Sequence, residues 1–306
     1  MAAIKSYKGF DKNLKCRDFQ YEIGKEYEMD GEIKVCNRGF HACESPFDVF
    51  DHYTMIDSRF CEVEQDGNIS KEDRGTKICS SKIKIKAELK LADMINLGVE
   101  WLKEITSPKK MKTSIKDNSS GNDAQIGSSG NDAQIGSSGN GAKIGSSGNG
   151  AQIGSSGNGA QIGSSGYGAQ IGSSGNDAQI GSSGYGAQIG SSGYGAKIGS
   201  SGNDAQIGSS GNGAKIGSSG NGAQIGSSGN GAKIDSTGED CVIMCAGINS
   251  VAKASKGSWI TLSEWSYSDK KQRYIPVCVK TEFVDGEKIK ADTYYKLAGG
   301  VFKEIQ

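Results

Sequence analysis

The sequence predicts a mainly β protein whose centre is a two-sided parallel β-solenoid, with an N-terminal α+β domain and a C-terminal β cap domain. A nine-residue unit, typified by "SSGNGAQIG", recurs through the middle of the chain. Isoleucine falls at 126, 135, 144, 153, 162, 171, 180, 189, 198, 207, 216, 225 and 234 without a miss. The flanking segments lack this unit and hold most of the aromatic residues. We therefore divide the chain into residues 1–112, 113–245 and 246–306.

The N-terminal segment combines strand and helix signals. "CRDFQYEIGKEYEM" predicts a strand and a turn at Gly24. In "SPFDVFDHY", Ser45 suits an N-cap and Pro46 suits the first position of a helix. "SSKIKIKAELKL" alternates apolar and charged residues, which predicts a half-buried strand, and "LADMINLGVEWLKEI" has apolar residues at helical spacing.

Each repeat predicts one short strand followed by one turn. Alanine stands two residues before every repeat isoleucine, as Ala124 does before Ile126. Residues two apart in an extended segment share a face, so Ala and Ile point inward while the Gln or Lys between them points to water. "GSSG" with the next Asn, Asp or Gly supplies the turn, because Gly and Asn tolerate positive φ.

The lysines of the repeats predict a coil of two repeats. Four lysines are separated from one another by even numbers of repeats: Lys143, Lys197, Lys215 and Lys233. Two repeats per coil would stack all four on one face, whereas three per coil would scatter them. Thirteen isoleucine-bearing repeats then make six and a half coils, with a length of roughly 30 Å at about 4.7 Å per strand.

The repeat fades into the C-terminal segment rather than stopping. Cys241 and Ile243 hold the Ala and Ile positions of the next unit, and Trp259 falls on the Ala position two units later. A large aromatic residue there would close the open end of the coil, because the terminal repeats of solenoids need a cap. "GSWITLSEWSY", "RYIPVCVKTEFV" and "DTYYKLAGGVFKEI" predict the strands of a small cap or assembly domain.

Composition limits the partners and the compartment. Lys plus Arg and Asp plus Glu both number 35, which argues against a nucleic-acid partner because such proteins need a basic surface. No run of about 18 apolar residues exists, so we expect no membrane span. The N-terminus lacks the apolar core of a signal peptide, so we expect no secretion by that route. The eight cysteines form no close CxxC pairs, so we expect reduced thiols in the cytosol or in a virus particle assembled there.

A flexible linker and a calcium coil are the alternatives for the repeats. Gly/Ser tracts are typical of linkers, but the unbroken isoleucine spacing argues against one here. "GSSGNDAQI" resembles the nonapeptide of repeats-in-toxin calcium rolls. Its carboxylates are confined to Asp123, Asp132, Asp177 and Asp204. Calcium takes about six to eight oxygen ligands, which adjacent turns with so few carboxylates do not supply.

A zinc site is the alternative for "CNRGFHACE", where Cys36, His41 and Cys43 lie close together. Zinc needs four N or S ligands, usually with tighter paired spacing. Buried free cysteines explain the pattern better, because cysteine is among the most buried residue types. No GxGxxG or GxxxxGK[ST] phosphate-binding pattern occurs. We expect no metal and no cofactor.

Tyrosines and lysines of the repeats are the candidate binding residues. Tyr167, Tyr185 and Tyr194 replace the turn asparagine, and the first two are two repeats apart, hence stacked in a two-repeat coil. Exposed aromatic side chains near lysines are typical of contact sites. The tyrosines and the four repeat lysines together form the predicted binding set. The alternative is a neutral Asn-to-Tyr change that duplication spread.

Two stretches carry a family resemblance. "SYKGFDKNLKCRDFQYEIGKEYE", followed by "CNRGFHACESPFDVFDHY", resembles the N-terminal domain of an uncharacterised family of phage and prophage proteins from Gram-positive bacteria. Members of that family often carry glycine-rich nonapeptide repeats and a C-terminal region like "GSWITLSEW". The resemblance implies a phage or prophage origin, and with it a place in the host cytoplasm or the virion. It implies no activity.

A weaker resemblance concerns only the N-terminal segment, residues 1–112, which we call the head. "RGFHACESPFDVFDHY" is similar to the strand-then-helix stretch of ADP-ribosyltransferases that holds NAD. That resemblance implies His41 near the nicotinamide and Arg17 on the phosphates. It implies Glu62 or Glu64 as the catalytic acid. The family's full motif is not present in recognisable order, and a core strand against an amphipathic helix is the plainer interpretation.

The function predicted from these observations is a non-enzymatic phage or prophage scaffold. Its solenoid would present a regular surface to a host or phage protein, as an anti-defence inhibitor would, and we expect it to self-associate. A structural protein of the virion tail or surface is one alternative. An NAD-dependent ADP-ribosyltransferase in the N-terminal domain is the other.

Overall fold

The computed structural model describes residues 3–72, 75–106 and 118–305. The chain divides into two compact units, Met1–Trp101 and Leu102–Gln306. The fold is mainly β, with an α+β N-terminal unit and a solenoid of about 18 residues per coil, as the repeat pattern predicts. The solenoid has about eight turns rather than six and a half, because residues 118–119 and the imperfect units after Ile234 also pair in its sheets. No helix among the described residues has the length and apolar character needed to cross a membrane.

The N-terminal unit is built from antiparallel strands with one short 3-10 helix. Its elements are β1 (Ile4–Phe10), β2 (Lys15–Cys16), β3 (Phe19–Gln20), β4 (Glu26–Glu28), β5 (Phe40–Cys43), the 3-10 helix (Phe47–Asp51), β6 (Arg59–Lys71) and β7 (Lys77–Leu89). Strand β1 pairs with β5 and β6, and β7 pairs with the same two strands, which closes a ring of four. Strand β4 adds to the free part of β7. The helix α1 (Leu91–Ile105) follows.

Local sequence explains the turns of this unit. The predicted cap is displaced by one residue: the 3-10 helix begins at Phe47 with Pro46 as its N-cap, although the Asp48 N–H still donates to Ser45 Oγ over 3.3 Å. Gly24 has a φ of 84° at the predicted turn. Gly98 of α1 has no room for a side chain, because a Cβ there would lie 2.6 Å from the Phe47 ring. Phe10, Val63 and Ile85 are among the fully buried residues of the core.

The solenoid consists of two parallel sheets that take alternate repeats. The first sheet contains β8 (Asn118–Ser119), β10 (Gln134–Ser137), β12 (Gln152–Ser155), β14 (Gln170–Ser173), β16 (Gln188–Ser191), β18 (Gln206–Ser209), β20 (Gln224–Ser227) and β22 (Val242–Cys245). The second contains β9 (Gln125–Ser128), β11 (Lys143–Ser146), β13 (Gln161–Ser164), β15 (Gln179–Ser182), β17 (Lys197–Ser200), β19 (Lys215–Ser218), β21 (Lys233–Ser236) and β23 (Val251–Ala254). Each repeat strand pairs in register with the strand two repeats further along the chain, as Ile153 with Ile171, so a coil comprises two repeats.

Three columns of side chains fill the interior. The repeat isoleucines from Ile126 to Ile234 are at most 4% exposed, and the alanines from Ala142 to Ala232 are fully buried. The inward direction of Ala and Ile is thus confirmed. The first serine after each isoleucine also faces inward, as Ser155 and Ser173 do, because it stands two residues further along the same strand. Sequence reasoning stopped at isoleucine and missed this column.

Two turn positions explain the glycine content. At Gly157 and its equivalents, an added Cβ would overlap the backbone oxygen of the glycine one coil earlier, which for Gly157 is Gly139. The residue two places later has positive φ and is Gly, Asp or Asn. Where it is Asp, the next coil has Gly: a Cβ at Gly222 would overlap the Asp204 carboxylate. The described turns therefore stack no aspartate directly on another.

The C-terminal strands complete both sheets. Strand β24 (Trp259–Ser268) continues the first sheet and pairs with β25 (Arg273–Phe283), while β26 (Tyr294–Ala298) joins β23 and pairs with β27 (Val301–Ile305). The prediction that Trp259 closes the coil is wrong, because its side chain is 48% exposed on the outer surface. The last repeat is one residue short, so Ser258 takes the Ala position and its Oγ accepts from Cys241 N–H. Tyr295, Leu297 and Ile289 close the end instead.

Candidate functional site

The two outer surfaces of the solenoid differ although their repeats are nearly identical. We call the outer surface of the first sheet the open face. Three columns run along it: Gln134, Gln152, Gln170, Gln188, Gln206 and Gln224; Gly136, Gly154, Gly172, Gly190, Gly208 and Gly226; and Ser138, Ser156, Ser174, Ser192, Ser210 and Ser228. We call the outer surface of the second sheet the lysine face, because Lys143, Lys197, Lys215 and Lys233 all lie on it.

The open face is a regular trough whose three columns carry no charged side chain; among the residues that line it, only Asp240 is charged. Its glutamines and second serines are exposed, and no atom lies within 4 Å of a Cβ built at Gly154, Gly172, Gly190 or Gly208. The glycine column forms the floor of a groove of about 1110 Å³ with the glutamine column beside it. The trough has the axial repeat of the strands, about 4.8 Å. The trough can therefore accept an uncharged surface or polymer that has a similar axial repeat.

The lysine face is closed at the equivalent positions. Gly145, Gly163, Gly181 and Gly199 are buried, and Gln161 and Gln179 are 7% and 5% exposed. A Cβ at Gly145 would lie 2.6 Å from Thr106 Oγ1 and 3.2 Å from the Leu102 oxygen. The prediction that the repeat lysines stack on one face is confirmed. All four are half-buried, and Lys233 Nζ lies 4.2 Å from the centre of the Tyr294 ring.

Asparagine ladders run along both edges, and tyrosines interrupt them. Each turn Asn accepts at Oδ1 from the backbone N–H one coil later, as Asn140 does from Asn158 over 2.9 Å. Tyr167 and Tyr185 lie on one edge with rings 5.2 Å apart and 10° from parallel, so the predicted stack is present. Tyr194 lies on the opposite edge, following Asn176 in its ladder. All three rings are exposed.

An exposed apolar surface continues the open face at its C-terminal end. The glutamine column continues as Val242 and Trp259, and the glycine column as Met244. These three side chains are 42%, 48% and 55% exposed respectively. Strand β25 adds Val277, Val279 and Phe283, and it is the last strand of its sheet. Exposed apolar patches of this kind are typical of contact surfaces.

The N-terminal unit contains a pocket of about 620 Å³, which we call the head pocket. Its walls combine aromatic, cationic and sulfur-containing side chains. They include Lys8, Cys16, Arg17, Phe19, Tyr21, Phe40, His41, His52, Tyr53 and Lys77. The volume falls in the range of small-molecule sites, about 300–1,000 Å³.

Lys8 is buried in the wall of this pocket, and no carboxylate within the described part of the chain pairs with it. Its side chain is on β1, 4% exposed, and its Nζ donates to the His41 oxygen over 2.8 Å. The other polar contact is Cys16 Sγ at 3.5 Å. Burial is the main cause that lowers the pKa of Lys8. A lysine with a lowered pKa in a cleft is a feature of functional sites.

A turn and a glycine position the groups around Lys8. Asp11 Oδ1 accepts from the N–H groups of Asn13 and Lys15, which reverses the chain after β1 and brings Cys16 to the pocket. Gly9 leaves space for the Tyr53 ring, which an added Cβ would overlap. Tyr53 Oη thereby lies 2.9 Å from Cys16 Sγ. Burial raises the pKa of the Tyr53 phenol, so the group stays protonated.

The residues implied by the ADP-ribosyltransferase resemblance divide into two groups. Arg17 and His41 both line the head pocket. His41 Nε2 accepts from the Cys36 N–H over 2.9 Å, and burial lowers its pKa. Glu62 and Glu64 are not among the lining residues, and they pair with Lys5 at 2.8 Å and Lys86 at 2.9 Å. The structure thus brings together the two cationic or aromatic members and not the two acids.

The cysteines and acidic residues do not gather into a metal centre. None of the eight cysteines is in a disulfide. Within residues 3–72, 75–106 and 118–305, no group of three or more His, Cys, Asp and Glu could hold a metal ion. Burial raises the pKa of Cys43 to about 12, which makes that thiol a poor ligand. Asp123, Asp132, Asp177 and Asp204 all have φ near 55° and serve as turn residues.

Sequence reasoning missed Lys8 and Tyr53 as site residues. They lie far apart in the sequence, and only the pairing of β1 with β5 and the space at Gly9 bring them to one pocket. The alternation in "SYKGF" could have indicated that Lys8 shares a face with Ser6 and Phe10, which are both fully buried. A lysine on an apolar strand face is the available signal.

Comparison with known proteins gives one match. Residues 4–97 match the model of a family described as "Domain of unknown function (DUF7666)". That stretch covers most of the N-terminal unit and none of the repeats. No curated protein and no solved structure matches the chain.

Proposed function

We propose that the protein is a non-enzymatic scaffold that self-associates by pairing the open faces of two copies. The observation that carries the proposal is the open face itself: a trough of glycine beside a parallel ridge of glutamine, both uncharged and repeated at every coil. A second copy has the same axial repeat by construction. A partner of another kind would need the same axial repeat to stay in register with the trough over its full length.

Geometry selects one arrangement of the two copies. A two-fold axis parallel to the solenoid axis places the glutamine ridge of each copy over the glycine trough of the other. The same axis brings the apolar patch at Val242, Met244 and Trp259 against its counterpart. Glutamine ladders packed in this way form dry, closely interdigitated interfaces. The lysine face could not pair with itself so readily, because like charges would oppose each other.

The available area supports a stable dimer only when the apolar patch is included. Seven strands from β10 to β22 at about 4.8 Å, and four residues at about 3.3 Å, give roughly 400 Å² on each copy. Specific interfaces bury at least about 1,000 Å² in total. The exposed side chains of Trp259, Phe283 and the rest of the patch supply the difference.

The experiment measures the oligomeric state of the full chain by sedimentation and light scattering. The unmodified protein is expected to be a dimer at micromolar concentration. Gly190→Lys with Gly208→Lys should give monomers with an unchanged circular dichroism spectrum, because both positions have open space. Tyr194→Lys adds a charge on an exposed edge and serves as the control. A monomeric unmodified chain, or a Gly190/Gly208 variant that dimerises like the control, would refute the proposal.

We further propose a phage or prophage origin and a host protein as the target, on the resemblance of the head and C-terminal segments. In the paired arrangement the edges remain outside, where Tyr167 and Tyr185 present an exposed stacked pair. Mass spectrometry of purified phage particles tests the location. Presence in the particle supports a tail or decoration protein, and absence supports an intracellular target such as a host defence protein.

The rival hypothesis of an NAD-dependent transferase has weaker support. Arg17 and His41 share the head pocket, but its only carboxylate among the lining residues is Asp18. The test is NAD turnover by the full chain and by His41→Ala, Glu62→Ala and Glu64→Ala variants. Turnover that these variants abolish would support the enzyme, and no turnover above the variants would remove it.

A further inference from the structure

We propose that the head pocket binds a small organic anion with a planar aromatic body. Its anionic group would lie at Lys8 and Arg17, and its body would pack against Phe19, Tyr21 and Phe40. This site is independent of the pairing of solenoids. It would give the head a ligand of its own.

The first support is a buried cation, Lys8, which has no counter-ion among the residues that the structure describes. The two polar contacts of Lys8 Nζ are a carbonyl oxygen and a sulfur, and neither is a carboxylate. The rings of Phe10 and Tyr21 lie 5.5 and 5.7 Å from the nitrogen. A buried charge is costly unless it is paired. A ligand anion would supply the missing pair.

The second support is the sign of the charges that line the pocket. The lining residues include three cationic side chains, Lys8, Arg17 and Lys77, and one carboxylate, Asp18. Arg17 makes no hydrogen bond or salt bridge within the described part of the chain, so its guanidinium is available to a ligand. Partly enclosed walls strengthen the attraction, because interactions between charges are stronger away from bulk water.

The third support is an exposed aromatic wall. Phe19 is 46% exposed although it packs against Tyr21 at 4.7 Å and Phe40 at 6.2 Å. A phenylalanine in such a cluster would ordinarily be covered. Its free surface faces the space beside Lys8 and Arg17, since all of these residues line the same pocket. The arrangement favours a flat apolar body attached to the anionic group.

The fourth support is a backbone built into an uncommon conformation at the rim. Arg17 and Cys36, which line the pocket, have φ of 55° and 64°. Positive φ in non-glycine residues is concentrated at ligand sites, where surrounding contacts hold it in place. Here the hydrogen bonds of Asp11 and the donation from Cys36 N–H to His41 hold the two loops. The pocket is therefore preorganised.

Calorimetric titration of the full chain tests the site with four probes. Adenosine monophosphate and benzoate each combine an aromatic body with an anion, of which one is a phosphate and the other a carboxylate. Adenosine has the body alone, and inorganic phosphate has the anion alone. At least one aromatic anion is expected to bind at millimolar concentration or below, at least about tenfold more tightly than adenosine and inorganic phosphate.

Lys8→Met is the decisive variant, because it removes the charge and keeps an unbranched chain of similar length. We expect it to weaken binding of the aromatic anion by at least about tenfold. Lys5→Met, on the same strand but paired with Glu62 at the surface, is the matched control and should bind normally. Arg17→Gln gives a second measurement if Lys8→Met does not fold. Failure of both aromatic anions to bind, or equal binding by Lys8→Met and Lys5→Met, overturns the proposal.

Alkylation of Cys16 provides a readout within the pocket. Cys16 lines the head pocket, whereas Cys278 lies in the other unit and serves as an internal reference. The bound anion should slow iodoacetamide labelling of Cys16 and leave Cys278 unchanged, as followed by peptide mass spectrometry. Equal labelling of Cys16 with and without a bound anion would place the ligand elsewhere and overturn the assignment.

Discussion

The open face and the lysine face show how one repeated sequence can make two different surfaces. Gly154 and Gly145 occupy the same position of the same nonapeptide. The first has no atom within 4 Å of a Cβ position, and the second is covered by Leu102 and Thr106. Among the described repeats, lysine occurs on the covered side only. A coil of two repeats lets each side vary independently, which a single-repeat coil would not.

The interior is where the two faces should behave alike, and it gives the largest effect. Ile162 belongs to the lysine-face sheet and Ile171 to the open-face sheet, and both are at most 3% exposed. Replacement of either by Asp buries an unpaired charge, and we expect each to cost more than about 4 kcal/mol of unfolding free energy. Urea unfolding measures it. Unchanged midpoints would mean that these side chains are not enclosed.

The turns offer a sharper contrast within one edge. Gly157→Ala places a methyl group on the backbone of Gly139, which cannot move aside, so we expect a loss of about 3 kcal/mol. Gly159→Ala meets no neighbour but has a φ of 65°, so about 1 kcal/mol is expected. Thermal unfolding of the pair measures the difference. Equal losses would contradict the close stacking of turns.

The direct comparison of faces pairs Gly145→Val with Gly154→Val. On the lysine face, the new Cβ would lie 2.6 Å from Thr106 Oγ1, so we expect a loss of about 2 kcal/mol. On the open face, tested in the monomeric Gly190→Lys, Gly208→Lys background, valine meets no neighbour and suits a strand, so a gain of about 0.5 kcal/mol is expected. Calorimetry of both variants gives the sign. Two losses of equal size would show that the faces do not differ.

The smallest effect concerns charge on the edges. Gly222→Asp would stack a carboxylate on Asp204, whereas Gly168→Asp has an open position between two glycine turns. We expect the first to cost about 1 kcal/mol more than the second, because Asp204 can rotate away from much of the repulsion. Salt should reduce the difference, since the groups are exposed. A difference that salt leaves unchanged would point to steric overlap alone.

The regular part of the fold could be predicted because it depends on spacing alone. Ala and Ile two residues apart define the interior, and the positions of Lys197, Lys215 and Lys233 define the coil. The last coil is one residue shorter than the others, between Cys241 and Ser258, so a strict nine-residue spacing puts Trp259 at the Ala position. The spacing therefore wrongly predicts that this exposed ring of the open face lies in the interior.

The difference between faces could not be predicted, because the repeats on both sides have the same sequence. At Gly145 it depends on two residues outside the repeats, Leu102 and Thr106. The head pocket could not be predicted from the sequence for a related reason. Arg17 and His41 were named from a resemblance, but Lys8 and Tyr53 meet them only through strand pairing and the space above Gly9.

The pairing of alternate repeats makes the two simplest tandem insertions unequal. Gain or loss of two repeats lengthens or shortens the rod by one rung and leaves every later side chain on its own side. Gain or loss of a single repeat transfers all later lysines to the opposite side, and the terminal strands with them. Recombination between such similar stretches of gene is therefore tolerated when it adds or removes an even number of repeats. The length of the solenoid can change far more easily than the side on which its lysines lie.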